Sequence, residues 1–254
     1  MKHRDMILLK RCSLTAAILV FVLSIGSIIL PNQESTRSVP NIERTLKKAE
    51  IVSGLDVKPW MKKKEYELIL KYLLPRYDML EWGAGKSSCI WSVFVNTLLS
   101  IEHNVKWAET VRENLQKNQK IIGVPRNTHY KDYRIRTKPT PAHPYDNYLH
   151  PPELVGRKFD AILIDGRARP QCAFEALSLL KSKNSVVFIH DYYSDIPDRR
   201  YYHIVEKWYT IVESITGTPG MVVLRPKNLY PEITEFPEWW FENLDEDHHP
   251  IRSG

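Results

Sequence analysis

"MLEWGAGKSS", Met79 to Ser88, admits two readings that lead to different folds. Its second half, GAGKSS, has the look of a loop that wraps a phosphate before a helix. Its first half, an acid followed by Gly-x-Gly after an apolar run, has the look of a turn that holds a nucleoside. The phosphate loop requires Gly-x-x-x-x-Gly-Lys-Ser/Thr. Counting back from Gly85-Lys86-Ser87 puts its first glycine at position 80, which is Leu80. The dinucleotide fingerprint asks for a third glycine at 88, where the chain has Ser88, and Glu81 beside the turn would repel a pyrophosphate. What remains suits a ligand with a positive centre and no phosphate. Gly83 and Gly85 permit close backbone approach. Glu102, twenty-one residues after Glu81, can accept hydrogen bonds from two ribose hydroxyls.

The surrounding pattern alternates strand and helix. "WMKKKEYELILKYLLP" places Tyr66, Leu68, Ile69, Tyr72 and Leu73 at helical spacing, and Pro75 stops the run. "YDMLEW" reads as a strand into the turn, "SSCIWSVFV" as a helix with a serine cap, and "TLLSIEH" as a second strand. "NVKWAETVRENLQKNQ" reads as an amphipathic helix after an asparagine cap, and "NTHYKDY" as a third strand. After the proline- and aromatic-rich residues 134–158 come the buried strand "FDAILIDG", the helix "PQCAFEALSLLK" and the buried strand "NSVVFIHD". "RRYYHIVEKWY" reads as a helix with Asp198 as its cap, and "TIVESITGTPGMVVLRPK" as two strands joined by a Gly/Pro turn. The fold class expected is α/β, a doubly wound, mostly parallel seven-stranded Rossmann-like sheet closed by a C-terminal antiparallel hairpin. Ligands of such sheets sit at the C-terminal strand ends. Here those ends carry Glu81–Ser87, Glu102–His103, Asp132, Asp165–Arg169 and His190–Asp191.

At this point the chain resembles the class I S-adenosylmethionine-dependent methyltransferases, over about residues 60–226. "LEWGAGKSS" stands as their first motif, "LLSIEH" as the acidic end of strand 2, "FDAILIDG" as strand 4 and "VVFIHD" as strand 5. The resemblance implies that S-adenosylmethionine is the cofactor. Glu81, Gly83, Gly85 and Ser87 would then lie against its methionine part, and Glu102 and His103 by its ribose. Asp132 would stand near the adenine. Lys86-Ser87 replaces a further glycine of the common pattern, and Lys86 reads as a solvated residue at a helix start.

Methyl transfer is an in-line displacement that depends on positioning, and an alcohol acceptor must also lose a proton. Asp165, His190 and Asp191 end neighbouring strands and are the candidate catalytic residues. Metal-dependent O-methyltransferases of the catechol type keep Mg²⁺ ligands after these two strands, so by resemblance Asp165 and Asp191 are candidate metal ligands. Without a metal, His190 is the candidate base. Arg167 and Arg169 in "DGRARPQ" could meet an acidic acceptor such as a uronate, or pair with surface acids. Tyr145, Tyr148 and His150 could form a sugar-binding lid, or a packed surface loop. The "IHD" ending resembles plant Golgi methyltransferases that act on glucuronic acid in xylan. The acceptor expected is a glycan or a small molecule, with no nucleic acid. "AILID" also mimics the strand and aspartate that hold magnesium in NTPases, which keeps a nucleotide-using Golgi transferase as an alternative. A non-catalytic anchored scaffold with the same fold is another.

Outside this core, "MKHRDMILLKR" carries four Lys/Arg against one Asp and precedes nineteen uncharged residues, 12–30. That length can cross a hydrocarbon core, and the basic flank should stay cytoplasmic. The expected order is a cytoplasmic tail (1–11), a signal anchor (12–30), a stem (31–58), the methyltransferase domain (59–226) and a tail (227–254). The expected location is a single-pass type II membrane protein of the Golgi. No Asn-x-Ser/Thr sequon is present. Of the net charge of +6, the first thirty residues hold +3 (4 minus 1) and the rest +3 (32 minus 29), too mild a bias to name a partner. Three cysteines show no metal spacing, and Cys89 and Cys172 are expected as buried thiols.

Overall fold

The computed structural model describes residues 44, 47, 61–113, 115–125, 145–193, 197–217 and 220–229. The chain divides into two units, residues 1–38 and 39–254, and all described residues belong to the second. Helix α1 (Lys63–Tyr72) ends at an extended Leu73, two residues before Pro75, which cannot continue a helix. Then follow β1 (Asp78–Trp82), the short α2 (Ser88–Ser92), β2 (Thr97–Glu102) and α3 (Val105–Arg112). The Asn104 side chain caps α3 by accepting from Trp107 N–H.

The third strand, β3, is Gln119–Gly123, not 127–133 as the sequence pattern suggested. Only its first residue, Gln119, fell in the expected amphipathic helix 104–119, which in fact stops at Arg112. Two adjacent isoleucines on a five-residue edge strand leave no clear period. Residues 127–133 themselves lie outside the described residues.

Helix α4 (Asp146–Leu149) and a 3₁₀ turn (Pro152–Leu154) lead to β4 (Ala161–Ile164), α5 (Arg169–Leu179) and β5 (Val186–His190). The segment after β5 is a 3₁₀ helix, Pro197–Lys207, where an α-helix was expected. Strands β6 (Tyr209–Ile215) and β7 (Met221–Pro226) close the sheet in the order β3-β2-β1-β4-β5-β7-β6. The first five strands run parallel, while β7 inserts antiparallel between β5 and β6. This is the expected doubly wound, mostly parallel Rossmann-like sheet with its antiparallel terminal hairpin.

Strand alternation divides the core between the two faces of the sheet. Leu80, Trp82, Ile162, Ile164, Val187 and Ile189 pack with Cys172, Ala173, Ala176 and Leu177 of α5. Met79, Leu163 and Phe188 pack with Tyr66, Leu68 and Ile69 of α1 and Ile90 and Trp91 of α2. Each such buried large side chain contributes about 1.5–3 kcal/mol. Cys89 and Cys172 are buried free thiols, as expected. Among the described residues no helix is long and apolar enough to cross a membrane. The run 12–30, like the tail 230–254, lies outside them.

Candidate active site

The turn after β1 is made by glycine for a steric reason. Gly83 has φ +99°, and a Cβ there would lie 2.5 Å from Gly166 N. Gly166, after β4, meets the turn from the other side, and a Cβ on it would lie 2.1 Å from the Tyr148 hydroxyl. Both glycine amides of the turn are already engaged. Gly83 N–H donates to Ile101 O (2.8 Å) and Ser88 N–H to Gly85 O (3.1 Å). Gly85 N–H donates to Ser88 Oγ (2.9 Å). A phosphate cradle needs such groups free and converging, so the NTP-loop reading of GAGKSS is not supported by this geometry. Ser87 stands half-buried at the same turn and makes no side-chain cap to α2.

Glu81 does not face this turn. It shares the Met79 side of β1 and is fully buried. Its Oε2 accepts from Ser88 Oγ (2.6 Å) and Ser100 Oγ (2.7 Å). Burial raises its pKa to about 8, against the opposing effect of the two serines. Expected as a ligand contact, Glu81 is instead an internal latch that holds Ser88, and through it Gly85, in place. Ser100 carried a signal for this partnership: a hydroxyl in the buried strand "LLSIE" must find an acceptor.

Glu102 ends β2, 4% exposed. Its Oε1 accepts from Asn104 N–H (2.8 Å) and lies 2.8 Å from His103 Nδ1; among the described residues no hydrogen bond holds Oε2. The His103 ring stands edge-on to Tyr145 (6.0 Å) and Tyr148 (6.1 Å). Tyr145 and Tyr148 are 4% and 0% exposed. They belong to the hydrophobic core, which corrects both expected places for them, in a sugar-binding lid or in a packed surface loop. His150 is exposed and pairs with Glu175 (2.9 Å). Val124 N–H donates to Glu102 O (2.7 Å), and Val124 lines a cleft of about 520 Å³ with Ile122, Gly123, His150 and Glu153. Asp132 lies outside the described residues. Its assignment to the end of strand 3 loses its basis, because β3 ends nine residues earlier, at Gly123.

The other half of the site gathers at the ends of β4 and β5. Asp165, His190 and Asp191 offer donor atoms within 4.8 Å of one another. His190 is buried, with Nδ1 2.9 Å from Asp165 Oδ1 and Nε2 3.3 Å from Glu65 Oε2. Burial lowers its pKa, but the hydrogen bond and charge of Asp165, joined by Asp191, outweigh that and raise it. With both ring nitrogens engaged, His190 is not free to take a proton from an acceptor. That departs from its expected role as base. Glu65, which no sequence feature singled out, is fully buried on α1 and also accepts from Lys62 N–H (2.6 Å). Asp191 holds a left-handed backbone, φ +59°, which aspartate tolerates better than most residues.

The two arginines differ. Arg167 is exposed at the mouth of the site. Arg169, read as meeting either an acidic acceptor or surface acids, has a side chain only 11% exposed and is paired internally with Asp191 Oδ2 (2.7 Å) and Asp165 Oδ1 (3.4 Å). This pairing decides the metal question raised by the resemblance. Mg²⁺ wants near-octahedral oxygen ligands, whereas one of the three donors is an imidazole already bonded to Asp165, and the carboxylates hold a guanidinium. A dication about 4 Å from that guanidinium would be repelled by on the order of 8 kcal/mol at an effective dielectric of about 20. The residues present do not fit a magnesium site.

No family model matches this chain, and no curated protein matches it. Among solved structures, a methyltransferase-like protein from Silicibacter pomeroyi is 18% identical, with 69% of this chain and 92% of that chain covered and a TM-score of 0.46. The O-methyltransferase TomG from Streptomyces achromogenes, solved with SAM, is 16% identical over 82% of this chain and 96% of its own, TM-score 0.45. A putative methyltransferase from Streptococcus mutans, solved with SAH, is 14% identical over 65% and 99%, TM-score 0.44.

Proposed function

We propose that this protein is an S-adenosylmethionine-dependent methyltransferase that methylates a hydroxyl oxygen of a glycan or small acidic acceptor. The observation that carries the reading lies at the ends of β1 and β2: a turn whose Gly83 and Gly85 amides are already engaged, beside a carboxylate with one oxygen available. Such an edge favours a cationic nucleoside and disfavours a polyphosphate. Glu102 Oε2 would take the ribose hydroxyls, with His103 alongside. Gly83, Gly85 and Ser87 would border the methionine part, whose sulfonium carries the methyl group. Beneath it Gly83, Gly166 and Tyr148 approach too closely to admit a Cβ on either glycine.

For the acceptor, Asp165 is the proton-accepting residue of this proposal. It is half-buried, and among the described residues no hydrogen bond holds its Oδ2, while Oδ1 is fixed by His190 and Arg169. His190 is then a positioning residue, clamped between Asp165 and Glu65. Arg167, exposed at the mouth, is the group suited to an acidic substituent such as a uronate. We further place this domain in the secretory lumen, on the strength of the basic flank and charge-free run of residues 1–30.

The test is calorimetry on the full chain with S-adenosylmethionine, its demethylated product and ATP. The expected result is binding of the first two and not the third. Glu102→Gln should weaken cofactor binding at least about ten-fold with an unchanged circular dichroism spectrum. Asp165→Asn should keep the cofactor and lose turnover by about a hundred-fold or more. Tight ATP uptake with indifference to the methyl donor would overturn the reading.

A further inference from the structure

Arg169 is the first residue of α5, directly after Ala168, whose φ of +51° turns the chain sharply. A guanidinium has five N–H donors, and here each has an oxygen. Nε donates to Gly166 O (3.0 Å), Nη1 to Asp191 Oδ2 (2.7 Å) and to His190 O, and Nη2 to Asp165 Oδ1 (3.4 Å) and Asp165 O (3.5 Å). The ring of Tyr202 lies 5.8 Å from its Cζ. Three carbonyls and two carboxylates thus enclose one permanent cation. The carbonyls come from the ends of both β4 and β5, so the backbone itself is shaped around that charge. An arginine that only bridged surface acids would leave most of its donors in water.

We propose that Arg169 is the resident cation of this site: it neutralises and aims Asp165 and Asp191 in place of a divalent ion, so the protein works without one, and removing the guanidinium converts the same oxygens into a divalent metal site. The role given to the two aspartates rests on the methyltransferase reading; the cation cage does not. A guanidinium suits the position because it stays charged at every relevant pH and its planar fork holds two carboxylates at fixed angles. Once it is gone, Asp165 and Asp191 lose the permanent charge that both of them pair with, and an oxygen-seeking dication is the natural replacement.

The experiment titrates the purified full chain with Mn²⁺, reading free ion by electron paramagnetic resonance, and measures binding of the demethylated cofactor on the same samples. Wild type should leave Mn²⁺ free up to millimolar concentration. Arg169→Met should bind one equivalent at least ten-fold more tightly than wild type, and adding Asp165→Asn should remove that gain. Arg169→Lys, which keeps a charge, should stay close to wild type. One equivalent of Mn²⁺ held by wild type and lost in Asp165→Asn would overturn the proposal, as would a folded Arg169→Met that gains no affinity. If Arg169→Met does not fold, the wild-type and lysine titrations decide: Mn²⁺ binding by either overturns the proposal and its absence in both supports it. Failure to bind the demethylated cofactor would sink the methyltransferase reading and leave the cation result standing.

Discussion

Glu81 shows how one residue can be correctly singled out and wrongly assigned. An acid before Gly-x-Gly is conspicuous in the sequence, but a strand turns alternate side chains to opposite faces, and Glu81 falls on the Met79 face with Ser100 beside it in register. Its chemistry has a measurable consequence. The folded protein keeps the Glu81 proton up to about pH 8, while an unfolded chain releases it near pH 4.3. Between those values the folded state binds more protons, so stability is greatest below the unfolded value and falls as pH rises, by at most about 1.4 kcal/mol per pH unit. His190, also raised, acts in the same direction from its ordinary value upward. Glu81→Gln imitates the protonated acid. In urea denaturation at pH 5 and pH 8, wild type should lose more stability between the two than the variant does. Equal losses would show that Glu81 is ionised in the fold. Glu65 was beyond the reach of sequence: nothing local says that a glutamate in a helix's first turn meets a histidine 125 residues away.

At the scale of elements, strands of four or more buried apolar residues were readable, and so was the asparagine cap of α3. The weak third strand and the 3₁₀ helix were not, because one lacks periodicity and the other carries the same apolar spacing as an α-helix. The opposite end of the sheet from the site is fastened by Lys181. Its Nζ lies 2.7 Å from both Asp78 Oδ2 and Asp160 Oδ2, tying the starts of β1 and β4 to the end of α5. Asp78 Oδ1 also accepts from Thr97 Oγ (2.7 Å) and Asn96 Nδ2 (3.0 Å). Burial pushes the Asp78 pKa up, yet these partners outweigh it and hold it below its ordinary value. The stabilisation is therefore present above about pH 4 and fades as pH falls through the depressed value. Lys181→Met should cost about 1 kcal/mol at pH 7, less at pH 3, with cofactor affinity unchanged. A variant that lost cofactor binding while folded would contradict the separation of the two ends.

For the molecule as a whole, the doubly wound α/β class was legible because apolar strand runs alternate with helical patterns, and β1, β2, β4 and β5 run into polar groups. What joins distant elements, such as Arg169 inside its ring of oxygens, was not, since "DGRARPQ" looks the same whether its arginines point outward or in. The proposed anchor is a prediction at this scale. In sealed microsomes carrying the full chain, added protease should spare everything beyond residue 30, and detergent should expose it. Digestion without detergent would place the domain on the cytoplasmic side.

Strand β1 lies between β2 and β4, and its partner on one flank comes much later in the chain. From Trp82 to Ala161 is 79 residues (161 minus 82). At a synthesis rate of about 5–20 residues per second, the emerging polypeptide carries an unsatisfied, strongly apolar edge for roughly 4 to 16 seconds. Such an edge invites pairing with other nascent chains. Production of this protein should accordingly depend on holding factors at the ribosome or translocon, and slowing translation would lengthen the hazard rather than relieve it.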